Sequence, residues 1–114
     1  GGRVLVIGGF DGGHRLQSTE MLDIPSMKFS KGPALLEARS GCAALLIRET
    51  ILLVLGGCDA SSACGACQDS TEMLDFSACE LEFALGPRMA APRGYVAVVP
   101  WGPPPPLEEE VPEE

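Results

Sequence analysis

Ser18-Thr19-Glu20-Met21-Leu22-Asp23 returns letter for letter as Ser70-Thr71-Glu72-Met73-Leu74-Asp75, 52 positions later. A repeat of this period dictates what the chain can fold into, because each copy must form the same supersecondary unit and bury its apolar faces against a neighbour. Other landmarks recur in the same order. Val4-Leu5-Val6-Ile7-Gly8-Gly9 corresponds to Leu52-Leu53-Val54-Leu55-Gly56-Gly57 at an offset of 48, and Phe29, Gly32-Pro33 and Arg39 correspond to Phe83, Gly86-Pro87 and Arg93 at an offset of 54. The offset therefore grows in two steps, placing about four extra residues of the second copy in one loop and about two in another, as a structural repeat permits.

Within each copy the residues read as short strands. The aliphatic run 3–7 stops at a diglycine, the pattern of a strand buried on both faces. Residues 19–24 alternate weakly and end at Pro25, 27–29 form a short third strand, and 42–47 a fourth. Residues 48–50 make a tight connection to 51–55, which opens the second copy. The competing reading, one helix over 35–55 built from good helix formers, is opposed by Gly41, by β-branched Thr50 and Ile51, and by the requirement that 51–57 repeat what 4–9 does.

A strand ending in Gly-Gly, a variable loop, Glu-x-x-Asp, an aromatic, Gly-Pro and an Arg before the next strand resembles the kelch repeat, whose period is roughly 50 residues. The two copies span 3–99. Leu22 and Leu74 stand where the family usually has Tyr, and Phe29 and Phe83 where it has Trp; both changes keep an apolar side chain. The resemblance implies an all-β fold, two four-stranded antiparallel blades of a kelch-type β-propeller, blade 1 over 1–47 and blade 2 over 48–99; beyond them the Pro- and Glu-rich composition of 100–114 reads as a disordered tail. In that fold Phe29 and Phe83 fill the space between blades, and Glu20 and Glu72 pair with an Arg such as Arg39 or Arg93, since an unpaired buried charge is expensive. Propellers close with about four to eight blades. Two blades leave two faces open, so the chain is expected to be a fragment of a larger propeller or to assemble through self-association or with further kelch blades. The absence of an initiator Met favours the fragment.

Function in the family resides mostly on a rim of loops that binds a protein or peptide partner. Positions just after the diglycine and just after the repeat Arg carry over as Phe10, Asp11, Cys58, Asp59, Ser40 and Gly94, and the loop 10–17 adds His14 and Arg15. The resemblance thus implies a non-enzymatic protein–protein interaction module, as the substrate-recognition part of a ubiquitin-ligase adaptor or as an actin-binding protein. The alternative is part of a propeller enzyme or metal-dependent protein whose catalytic residues lie outside this chain.

Composition narrows the partners. There are 8 basic and 16 acidic residues in the 114, a net charge of −8, with five of the acids in the last seven positions. No basic patch can replace phosphate counterions, so nucleic acid is not expected. The apolar stretch 41–55 is broken by Arg48 and Glu49 and is too short to span a membrane. Five cysteines without a signal-like start point to a reducing, cytoplasmic setting. Cys58, Cys64 and Cys67 lie close in sequence, but a structural zinc site needs four ligands and the second pair is absent. Incidental cysteines are preferred to a redox pair, and no cofactor is expected. A lone His14 and a lone Tyr95 supply neither a catalytic dyad nor a copper set, and Gly8, Gly9, Gly12 and Gly13 do not match a phosphate-binding loop. Pro103 to Pro106 reads as a spacer rather than a polyproline ligand.

Overall fold

The computed structural model describes residues 2–59 and 66–102. These form seven strands, and no helix among the described residues: β1 (Arg3–Ile7), β2 (Thr19–Asp23), β3 (Lys28–Lys31), β4 (Ala43–Arg48), β5 (Ile51–Leu55), β6 (Thr71–Asp75) and β7 (Ala84–Leu85). They make two antiparallel sheets, a three-stranded one in the order β1-β2-β3 and a four-stranded one in the order β4-β5-β6-β7. The expected all-β class holds, and the helix over 35–55 does not form.

One strand is allotted differently from the expectation. The segment expected to complete the first copy is β4, and it pairs with β5, with Ala44 opposite Val54 and Leu46 opposite Leu52. The boundary expected at 47/48 therefore falls inside the second sheet, and among the described residues the first sheet has three strands. The reason is local. Glu49 and Thr50 close a hairpin directly onto β5, the contact of lowest loop-closure entropy, whereas residues 32–42 must first cross from β3.

The repeat is close in backbone at the diglycine turns. Gly8 and Gly9 adopt φ of 57° and 109°, and Gly56 and Gly57 adopt 63° and 108°. A Cβ on Gly8 would run into the Arg39 carbonyl oxygen, and one on Gly56 into that of Arg93, so both turns admit only glycine. The Arg39 and Arg93 carbonyls accept from Gly9 and Gly57 N–H at the same 2.7 Å. Thr19 and Thr71 hydroxyls each donate to the carbonyl after the Gly-Pro glycine, Pro33 and Pro87, at 2.7 Å.

The core lies between the sheets. Leu52, Val54, Leu74 and Phe83 of the second copy pack with Leu35, and partly buried Leu5, Ile7, Cys42 and Leu81 close the cluster. Burying each of these larger side chains contributes roughly 1.5–3 kcal/mol. One face of the second sheet, carrying Leu52, Val54, Glu72 and Leu74, thus lies against the Leu5/Ile7 side of the first.

Candidate functional site

At the centre of the inter-sheet contact is an ion pair. Arg39 and Glu72 are both fully buried, and Arg39 Nε donates to Glu72 Oε2 at 2.9 Å. Arg39 Nη1 donates to the Gly56 and Ser70 carbonyls at 2.9 and 3.1 Å, and Nη2 to Ser70 Oγ at 2.7 Å. Glu72 also accepts from the N–H groups of Leu36 and Glu37 at 2.7 and 3.1 Å. A buried pair survives its desolvation cost when the spare lone pairs and protons are satisfied in this way. The expected Arg–Glu pairing is realised here, in a structural role. Its repeat equivalents behave otherwise: Arg93 and Glu20 are exposed and make no side-chain bond to another described residue. Likewise Phe83 fills the space between the sheets at 5% exposure, while Phe29, expected to do the same, is 58% exposed because no blade covers that side.

The loops after the diglycines and after the repeat arginines converge on one end of the sheets. Phe10 and Arg15 form an isolated bridge across loop 10–17, and the Arg15 guanidinium sits 5.5 Å from the Phe10 ring centroid, within cation–π range. Arg15 Nε donates to Ser40 Oγ at 3.1 Å. Ser40 and Cys58 exchange backbone hydrogen bonds at 3.0 and 2.7 Å. A Cβ on Gly94 would meet Cys58 Sγ at 2.9 Å, so the loop after Arg93 closes on the same point. Asp11 Oδ1 accepts from Gly13 and His14 N–H at 2.9 and 2.7 Å, and these donors hold its carboxyl below the usual aspartate range. His14 Nδ1 lies 4.0 Å from Asp11 Oδ1. Asp59 Oδ1 accepts from Ala66 N–H at 3.1 Å.

The structure thus brings Phe10, Arg15, Ser40, Cys58 and Gly94 together, with Asp11 and His14 on the outer turn and Asp59 beside Cys58, but Ser40 and Cys58, expected as contacts, are buried at 4% and 5% exposure and brace the loops from beneath. Sequence reasoning missed Tyr95 as a member. Its N–H donates to the Gly41 carbonyl at 2.7 Å, its ring packs over Gly41 and it is 78% exposed. Its place after Gly94 offered only adjacency, and the left-handed backbone that turns it onto Gly41 shows only in the folded loop.

Cys64 and residues 103–114 lie outside the described residues. Burial, and next the neighbouring Cys67, push the Cys58 thiol above its ordinary value, which disfavours the nucleophilic thiolate. Among the described residues no three His, Cys, Asp or Glu side chains converge as a metal site. At the opposite end of the sheets an open cleft of about 570 Å³ is lined by Arg3, Asp23, Leu46, Glu49 and Phe76, among others.

Residues 1–36 match the family model of the kelch motif. That segment carries a kelch motif. The matched segment holds β1, β2, β3 and the first diglycine, and the second kelch copy reproduces their pairing in β5, β6 and β7. Two antiparallel sheets of this kind are consistent with kelch blades of a partial propeller. The kelch motif suggests a protein-interaction module in general. No curated protein matches the chain.

Proposed function

We propose that this chain binds a protein or peptide partner on the exposed patch of Phe10, Asp11, His14 and Tyr95, edged by Arg15, Asp59 and Gly94 and braced from beneath by the buried Ser40 and Cys58, without chemistry of its own. The observation that carries this reading is the exposed Phe10 ring held under Arg15, which is itself tied to Ser40 of the next loop. An aromatic and an arginine on a braced backbone are the side chains that dominate binding energy at interfaces. Bracing matters because it lowers the ordering cost of association. The finer reading, substrate recognition for a ubiquitin ligase or attachment to actin in the cytoplasm, would use this same surface.

The test is peptide selection from a random display library on the immobilised chain. Selected peptides should bind at least about tenfold more weakly to Phe10→Ala and Arg15→Ala, a loss of about 1.4 kcal/mol, with circular dichroism unchanged. Peptides that bind the variants as well as the parent would sink the patch. Co-sedimentation with filamentous actin, lost in Phe10→Ala, would select the actin reading.

A further inference from the structure

The two open faces of the molecule are the two halves of the contact it already makes internally. The first outer face, on the three-stranded sheet, presents Val4, Val6 and Glu20, the repeat equivalents of Leu52, Val54 and Glu72. Val6 is 48% exposed where Val54 is fully buried. The second outer face presents the loop 89–93. There Arg93 is exposed, and the N–H groups of Ala90 and Ala91, equivalent to the Leu36 and Glu37 donors to Glu72, have no acceptor among the described residues. One face holds a carboxylate without donors, and the other holds the matching donors without a carboxylate.

Backbone continues the match. Before β4, Gly41 takes φ 66°; at the equivalent position Tyr95 takes φ 54°, a left-handed conformation uncommon outside glycine. The chain therefore leaves the second sheet along the path by which it leaves the first. After Val96, the residues Ala97-Val98-Val99 are equivalent to the start of β4, yet unpaired in this structure. On the first sheet β1 is an edge strand, although its equivalent, β5, has β4 beside it. An unpaired segment and an unpaired edge of complementary register stand at the two ends of one chain.

We propose that a second copy of this chain docks its three-stranded sheet on the outer side of the four-stranded sheet, repeating the internal contact head to tail. In it Glu20 of the incoming copy accepts from Arg93 and from the Ala90 and Ala91 N–H groups, while residues 97–99 add to the incoming β1. The β4–β5 register transfers as Ala97 opposite Ile7, Val98 opposite Val6 and Val99 opposite Leu5, and Pro100, which cannot donate to the ladder, ends the strand. The contact is heterologous, so it either closes a ring or propagates; about two to four copies supply the four to eight blades of a closed ring. This goes beyond the partner-binding reading and does not depend on it.

Charge reversal tests it on the full chain, by sedimentation velocity over a tenfold concentration range with circular dichroism alongside. The parent chain should sediment at about two to four times the chain mass, and Glu20→Arg and Arg93→Glu should each fall to the single-chain mass. An equimolar mixture of the two variants should pair one to one, because Glu20 of the Arg93→Glu chain then meets Arg93 of the Glu20→Arg chain in one unaltered junction. In the parent, amide exchange at 5–7 and 97–99 should slow on assembly, a readout that needs no variant. A folded parent that stays single at all concentrations overturns the proposal, and so does a parent that is unfolded or of indefinite mass. Single variants that keep the parent mass, or fold but fail to complement, overturn it too. A parent that stays single but captures a separately made kelch blade gives that place to another occupant.

Discussion

The same six residues, Ser-Thr-Glu-Met-Leu-Asp, occur in both sheets with opposite fates. In the second sheet Ser70, Thr71, Glu72 and Leu74 are buried, whereas in the first only Thr19 is. Their backbone pairing is alike: β2 and β6 sit between corresponding strands in the same antiparallel register. The difference is what lies against them. The second sheet has the first copy on one face, and the 36–39 loop delivers its donors to Glu72; the first sheet's corresponding face meets solvent. Local sequence therefore sets the strand, and the neighbouring blade sets the burial and most of the energy.

The largest test of this contrast is Glu72→Ala against Glu20→Ala. Removing Glu72 strands a buried guanidinium, and the loss should reach about 3–5 kcal/mol by urea unfolding. In dilute single chains Glu20→Ala should stay within about 0.5 kcal/mol. Equal losses would break the comparison. Phe83→Ala comes next, at about 3 kcal/mol, while Phe29→Ala should leave the urea midpoint nearly unchanged, its ring being mostly in water.

A smaller pair sharpens the point from the other side. Thr19→Val and Thr71→Val each remove a hydroxyl bond made inside one copy, to Pro33 and Pro87, so the two should cost alike, about 1 kcal/mol each. Unequal values would mean that the neighbour reaches even these contacts.

The smallest effect is in pH. Burial raises the Cys42 and Cys58 thiols, so these groups hold their protons longer in the folded chain than in the unfolded one, where a thiol titrates near 8.5. Their contribution is complete below that value and is lost as pH climbs through the raised folded value. The urea midpoint should fall as pH rises above about 8.5, and fall less in Cys58→Ser. On the acid side, Asp23 and Asp75 are held low by Ser26 and Ser77 through their hydroxyls and N–H groups. Carboxyl NMR titration should find both below the usual aspartate value, alike in the two copies because each turn is closed within its own copy.

Much of the fold was legible because a repeated hexapeptide, two diglycines and two Gly-Pro steps each carry a local geometry that needs no partner. The convergence of the loops was legible by position for Phe10, Ser40 and Cys58, though not that Ser40 and Cys58 lie buried beneath it. Tyr95 was not, since its left-handed backbone is visible only once the loop is seen closing on Gly41. The allotment of β4 also escaped the linear reading. A strand between two copies reads equally well as the end of one or the start of the next, and only hydrogen-bond pairing decides.

By itself the sequence determined the strands, their turns and the repetition, because period, glycine and proline act over a few residues. Tertiary structure alone decided which Glu meets which Arg, which phenylalanine is core and which faces are left open. Those outcomes depend on what packs against a face, and identical residues cannot encode different neighbours.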